Sequence, residues 1–246
     1  MFVSEVEISR LKYTRGVEIE RSSKKYLLKL VNDVEIDRIL DVGCGAGINS
    51  SKLLSSKNIV GVDISPEAIE LYKKNGFRGK VADLSKGLPF PDNYFDAILF
   101  SEVLEHISST SQALNELNRI LRPGGLLFLS TPNSAFWVYR IFALLGHTLS
   151  DVQHPGHVRF FSKNSLSKSL SLSNFKILQC SGRNIFMILP DKFGKICSKI
   201  FGWLGFHHEV RFKTNRGFGH LSCFSANASE MFTDTFILVA QKIDKE

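Results

Sequence analysis

The chain predicts a doubly wound α/β fold, a mostly parallel sheet with helices on both faces, on three observations. Short apolar runs alternate with helically spaced segments from Arg38 to Ser130. Asp41, Asp63, Asp83 and Ser101 fall at the ends of four of these runs. A glycine-rich segment, Asp41-Val42-Gly43-Cys44-Gly45-Ala46-Gly47, follows the first of them. Strands alternating with helices of this length form a parallel sheet, and its ligands bind beyond the carboxyl ends of the strands.

Each element follows in order. Ile19, Tyr26, Leu27, Leu30 and Val31 share one face of a helix over Val17 to Val31. Arg38 to Val42 reads as a strand, Ile48 to Ser55 as a helix and Asn58 to Val62 as a second strand. Pro66 to Lys74 is a helix with Ser65 as its cap and proline in its first turn. Arg78 to Ala82 is a short strand, and Phe95 to Phe100 is a fourth after the turn-rich Leu88-Pro89-Phe90-Pro91-Asp92-Asn93. Ser111 to Leu121 is a helix stopped by Pro123-Gly124-Gly125, and Leu126 to Ser130 is the fifth strand. Beyond Pro132, Ala135 to Leu145 is helical but apolar nearly all round, so it is covered by something or lies against lipid. Ser162 to Ser171 is a polar-capped helix, Phe175 to Cys180 a strand and Thr235 to Ala240 the last strand.

The connection between the final two strands is far longer than a normal loop, and such insertions usually carry function. Within it Phe193, Ile196, Cys197, Ile200, Phe201 and Leu204 form one apolar stripe, with Lys192, Lys195 and Lys199 largely off it. A basic amphipathic helix over 191–204 is expected, acting as a lid or as a peripheral membrane contact. Between Gly182 and His220, seven Lys/Arg stand against Asp191 and Glu209, so most of the chain's net charge of +7 sits there. That excess admits an anionic membrane surface, nucleic acid or an acidic substrate.

The length of 246 residues with 43% hydrophobic content supports one domain over 1–246, with an N-terminal helical segment 1–35 and a basic-aromatic insertion 182–231. Cys44, Cys180, Cys197 and Cys223 form no CxxC pair, which points to free thiols in a reducing, cytoplasmic setting and away from cysteine-bound zinc. The longest apolar run, Ala135 to Gly146, has 12 residues and contains Arg140, too short to span a bilayer. A cytoplasmic protein, soluble or peripheral to a membrane, is expected.

The glycine loop carries the chemistry. Glycines at alternate positions let the backbone turn sharply from strand to helix and approach a ligand closely. Asp63, at the end of the next strand, suits the two hydroxyls of a ribose. The dinucleotide fingerprint needs glycines at offsets zero, two and five, yet counting from Gly43 or Gly45 puts Ile48 or Ser50 at the fifth offset. NAD is therefore disfavoured.

Five motifs occur in order: the loop at 41–47, Gly61-Val62-Asp63-Ile64-Ser65, Ala82-Asp83-Leu84, the turn 88–96 and Leu121-Arg122-Pro123-Gly124-Gly125. Together they resemble the class I S-adenosylmethionine-dependent methyltransferases, over roughly residues 38 to 181. The resemblance implies a Rossmann-like seven-stranded sheet with an antiparallel last strand, and S-adenosyl-L-methionine as cofactor. It implies that Asp41, Gly43, Gly45 and Gly47 line the amino-acid end of the cofactor and that Asp63 holds the ribose. Ile64 would flank adenine, Asp83 with Leu84 would meet its edge, and Ser101 would line the same cleft. Cys44 reads as a small buried side chain rather than a nucleophile.

A second constellation follows the fourth strand. In Glu102-Val103-Leu104-Glu105-His106, a helical turn would project both carboxylates and His106 from one face. With Ser130-Thr131-Pro132-Asn133 and then His154-Pro155-Gly156-His157 before Phe160-Phe161, the order is similar to O-methyltransferases of ubiquinone precursors and of RNA 3′ ends. In those branches the residues matching Glu102, Glu105, His106 and His157 hold a divalent cation that acidifies the acceptor hydroxyl. The same residues also admit His157 as a metal-free general base, or a structural role. His157 is the catalytic candidate, and the metal question stays open at this point.

The 20 phenylalanines, many in the irregular segments, favour a small or lipophilic acceptor, methylated at a hydroxyl oxygen. An RNA acceptor ranks below it because no RNA-binding module accompanies Arg211-Phe212-Lys213 and Arg216-Gly217-Phe218. A cofactor-binding, non-catalytic membrane or scaffold protein is the rival of another class.

Overall fold

A computed structural model describes residues 22–53, 58–190, 208–211, 218–225 and 230–243. The alternation in the sequence becomes one sheet. In chain order the elements are α1 (Ser22–Asn32), β1 (Arg38–Val42), β2 (Asn58–Asp63), α2 (Pro66–Lys74), β3 (Arg78–Val81), β4 (Phe95–Ser101), α3 (Thr110–Ile120) and β5 (Leu121–Pro132). There follow α4 (Trp137–Leu144), α5 (Leu149–Val152), α6 (Lys163–Leu172), β6 (Phe175–Pro190), β7 (His208–Arg211), β8 (Phe218–Ser225) and β9 (Thr233–Lys242).

The strand order is β3-β2-β1-β4-β5-β9-β6-β8-β7. The first five strands pair in parallel, and β9 runs antiparallel between β5 and β6. The expected seven strands and antiparallel last strand are therefore present. Two further strands, β7 and β8, extend the sheet beyond β6. The insertion between β6 and β9 was expected to be helical; its described parts are strands, and β6 lengthens to Pro190 because Gly182–Pro190 pair with β8. The amphipathic stretch 191–204 lies outside the described residues, as does the part of the first helix before Ser22.

Period-two alternation puts two apolar faces on the sheet. Leu40, Val42, Ile98, Phe100, Leu127, Leu129, Phe236 and Leu238 turn to one side, against Leu114 and Leu117 of α3 and Leu166 and Leu170 of α6. Ile39, Ala97, Leu99, Phe128, Ile237 and Val239 turn to the other, against Leu27, Leu28 and Val31 of α1. Strands buried on both faces read as continuous apolar runs, which is why β4 is buried at every position.

Local signals set the ends. Ser65 accepts from the Ala68 amide with Pro66 in the first turn of α2, and Ser162 accepts from the Ser165 amide to open α6. Of the helix expected over Ile48–Ser55, the described residues, which end at 53, form a 3₁₀ turn at Ser50–Lys52, and 54–55 lie outside them. The Ser50 hydroxyl is drawn inward to Asp41 and Tyr72, a tertiary tie that competes with helix continuation. β5 starts five residues earlier than its apolar run, at Leu121, directly after α3 ends. No helix among the described residues is long and apolar enough to cross a membrane.

Candidate active site

β1 pairs with both β2 and β4, so the connections leaving β1 and β4 depart toward opposite neighbours and open a crevice between them. The glycine loop lines one wall. Gly43, Gly45 and Gly47 have φ of 70°, 58° and 92°, all in the left-handed region that side chains oppose. The Gly43 and Cys44 amides both donate to Val62 O, which carries the turn along β2. Asn75, past the end of α2, donates its side-chain amide to Ala46 O and braces the loop from below.

Two carboxylates sit behind this loop. Asp41 is fully buried and accepts from Ser50 Oγ at 2.7 Å, while Ser50 Oγ is 2.7 Å from Tyr72 Oη. Asp63 is buried and accepts from the Gly45 amide at 3.0 Å and from the Ser65 amide at 2.9 Å. Asp63 thus ties the loop to the start of α2. Burial, then the charges of Asp41 and Asp63, push the Cys44 thiol far up, so it is inert at neutral pH.

Further along the crevice, Ile64 is half-buried and Leu84 buried. Asp83 caps the 3₁₀ turn Leu84–Lys86, accepting from the Ser85 amide at 2.9 Å and the Ser85 hydroxyl at 2.6 Å, with Lys86 Nζ at 3.2 Å. Burial raises its pKa, but the Ser85 hydrogen bonds and Lys86 outweigh it and hold the carboxyl below its usual range. Ser101 closes β4, buried, with its hydroxyl 3.0 Å from that of Ser130 on β5.

The segment after β4 forms the opposite wall. A Cβ added to Gly43 would fall 2.5 Å from Val103 Cγ2, so Val103 lies directly on the loop. Glu102 has φ 57°, a left-handed conformation that takes it out of the turn that follows. The shared helical face expected for Glu102, Glu105 and His106 is therefore absent. A 3₁₀ turn spans only Leu104–His106, and among the described residues the cluster able to hold a metal is Glu105, His106 and His157, without Glu102. One ligand atom from each lies within 4.8 Å of the others.

Backbone ties bring His157 to this turn across fifty residues of chain. Glu105 O accepts from the Val158 and Arg159 amides, and Arg159 donates to Ser108 O. Two contacts then orient the histidine rings. His106 Nδ1 is 2.8 Å from Gly156 O and His157 Nδ1 is 3.0 Å from Gln153 Oε1. Gly156 O only accepts, so His106 carries a proton on Nδ1, whereas Gln153 holds the His157 ring through a side-chain amide that bears both an acceptor and a donor. Glu105, fully buried, accepts from Thr131 Oγ1 at 3.1 Å. His154, read from sequence as a loop residue, stands beside these rings, its centroid 6.0 Å from that of His106 and 5.5 Å from that of His157.

Thr131 lies in the 130–133 segment noted in the sequence, but Gln153, Ser50 and Tyr72 have no motif that marks them; only the fold brings them to the functional side chains. Gln153 adjoins His154 in sequence, which is the one signal that could have raised it. Asn133, beside Thr131, is buried and donates to Glu230 O and Thr233 O, tying the end of β5 to the start of β9.

Residues 40–129 match a family model described as a methyltransferase domain. The ubiquinone biosynthesis O-methyltransferase of Colwellia psychrerythraea is 28% identical over 156 residues, covering 59% of this chain and 63% of that protein. The demethylmenaquinone methyltransferase of Symbiobacterium thermophilum is 32% identical over 120 residues, covering 43% and 48%. The matched stretch thus spans less than two thirds of either relative's length. In fold, the chain is similar to a SAM-dependent methyltransferase of Thermotoga maritima, with a TM-score of 0.61 at 18% identity over 96% of this chain and 91% of that one. The match over residues 40–129, the relatives and the shared fold make this chain similar to the class I S-adenosylmethionine-dependent methyltransferases and imply S-adenosylmethionine as cofactor.

Proposed function

We propose that this protein transfers the methyl group of S-adenosylmethionine to a hydroxyl oxygen of a small lipophilic acceptor, bound between the glycine loop and His157. The observation that carries this reading is the convergence of Glu105, His106 and His157 beside Val103, which itself packs on Gly43. A proton acceptor therefore stands next to a loop shaped for the cofactor. The names of the two quinone-pathway relatives support a lipophilic acceptor.

In this reading Asp41, Gly43, Gly45 and Gly47 surround the amino-acid end of the cofactor, Asp63 accepts from its ribose, and Ile64, Asp83, Leu84 and Ser101 line the remainder. The buried charges of Asp41 and Asp63 favour a cationic ligand at this loop. When bound, the cofactor supplies a methyl group already activated by its sulfonium. Alignment then does most of the work, by holding the acceptor oxygen in line with that group and excluding water. As the carbon–oxygen bond forms and the sulfonium's carbon–sulfur bond breaks, the acceptor's proton passes to the His157 imidazole, whose Nδ1 is held by Gln153.

The His106 and His157 imidazoles and the Glu105 carboxylate also fit a divalent cation of the kind that nitrogen and oxygen donors hold. Glu105, His106 and His157 would be its protein ligands, and it would acidify the acceptor hydroxyl.

The test is mass spectrometry of lipid, metabolite and RNA extracts incubated with the protein and methyl-labelled cofactor. A labelled product is expected in the lipid extract, with the rate falling at least about a hundredfold in His157→Ala. Equal rates would remove His157 from the chemistry, and product in RNA alone would overturn the lipophilic acceptor. Loss of the rate on chelation, restored by added metal, would assign the cation; indifference to chelators would leave His157 as the base.

A further inference from the structure

Residues 140–148 are exposed without interruption, and this stretch includes much of α4. Ile141 is 46% exposed, Phe142 37%, Leu144 87% and Leu145 69%, and α4 has no buried residue at all. An apolar helix turned outward in this way is unusual, because apolar surface is ordinarily withdrawn from water. The helix is nonetheless firmly placed. Phe136 before it is buried and packs edge-on against Trp137 and Tyr139, the Trp137 amide donates to Met231 O, and Arg140 Nε donates to Ala135 O. Beyond it the chain passes through α5 to Gln153 and His157 within a dozen residues, so the exposed tip and the candidate site share one connection.

From this we infer that α4 and Leu145 form a docking surface for the face of an anionic phospholipid bilayer, with Phe142, Leu144 and Leu145 entering the headgroup–acyl boundary. Two features select lipid over a second copy of the chain. Eight residues of helix measure about 12 Å by 10 Å, far short of the roughly 800 Å² per partner that a stable dimer needs. The one charged side chain of the helix, Arg140, is also cationic, and anionic headgroups complement it. The helix composition fits the boundary: Trp137 and Tyr139, both half-buried, stand at its base where amphipathic rings favour headgroup depth, and Arg140, its one charged side chain, can extend toward phosphate. Interfacial docking needs no spanning length.

Vesicle flotation tests this independently of catalysis. The full chain is mixed with phosphatidylcholine vesicles with or without phosphatidylglycerol, beside Leu144→Glu/Leu145→Glu and a control, Leu172→Glu, whose side chain is 74% exposed on α6. Wild type and control should float with the phosphatidylglycerol vesicles, and the double variant should lose at least about tenfold in partitioning, since two buried leucines outweigh that factor. Thermal melts should coincide, because both leucines are solvent-facing. Flotation of the double variant at the wild-type level, loss of flotation in the control, or absence of wild-type flotation would each overturn the proposal. So would a vesicle-free wild-type dimer that the double variant converts to monomer, which would assign the surface to self-association. None of these outcomes depends on methyl transfer, so failure of the catalytic reading leaves the result interpretable.

Discussion

Thr131 Oγ1 donates to Glu105 Oε2 at 3.1 Å, and both side chains are buried. The bond links the end of β5 to the turn after β4, and it orients the carboxylate that stands with His106 and His157. Thr131→Val keeps the shape and removes the donor. Unfolding free energy in urea should fall by about 1–3 kcal/mol, the cost of leaving a buried acceptor short of a partner. Turnover should fall while the KM for S-adenosylmethionine holds, and Thr131→Ser should restore both stability and rate.

Gly61 faces Asp41 across the β1–β2 register, and a Cβ there would lie 2.5 Å from Tyr72 Cζ and 2.6 Å from Cys44 Sγ. Those two rigid, buried side chains support the glycine loop from beneath. Gly61→Ala should therefore destabilise the fold by about 1–3 kcal/mol, as overpacking does. Cofactor affinity by calorimetry should fall as well, because the displaced Tyr72 takes Ser50 and Asp41 with it. Unchanged affinity would separate the loop from its support.

Glu116 accepts from Arg119 Nε at 2.9 Å and Nη2 at 2.6 Å, and from the Leu88 amide at 2.6 Å. The Arg119 hydrogen bonds hold its carboxyl below the ordinary value of 4.5, although burial opposes them. A depressed carboxyl stabilises the fold above the unfolded pKa and loses that contribution as pH falls through the folded one. Glu116→Gln should be less stable than wild type at neutral pH, and the gap should close below about pH 4.5 in parallel denaturation curves.

Cys44 carries the loop's one thiol, buried against Tyr72 and Ile69 and pushed up by that burial and by Asp41 and Asp63. Iodoacetamide at pH 8 should leave it unmodified in the folded protein and alkylate it fully in denaturant, as read by peptide mass spectrometry. Rapid alkylation of the folded chain would show that the loop opens.

What the sequence by itself determined was local and periodic. The strand alternation from β1 to β5 follows from runs buried on both faces, and Gly43, Gly45 and Gly47 follow from a loop held at positive φ. Ser65 with Pro66 and Ser162 announce their helices, because a capping hydroxyl acts within three residues of itself. What depends on distant partners was decided only in three dimensions. Of the helix expected at Ile48–Ser55, the described residues form a 3₁₀ turn where Ser50 meets Asp41 and Tyr72. Glu102 takes a left-handed backbone conformation ahead of the 3₁₀ turn Leu104–His106, and the group able to hold a metal among the described residues is Glu105, His106 and His157. The His106 and His157 rings were oriented by Gly156 O and Gln153, and Thr131 joined Glu105 from another strand. Helical spacing in the sequence also marked α4 as apolar nearly all round, but could not distinguish a covered helix from an outward one. That difference depends on which surfaces the rest of the chain supplies, and here the described residues leave Leu144 and Leu145 facing solvent.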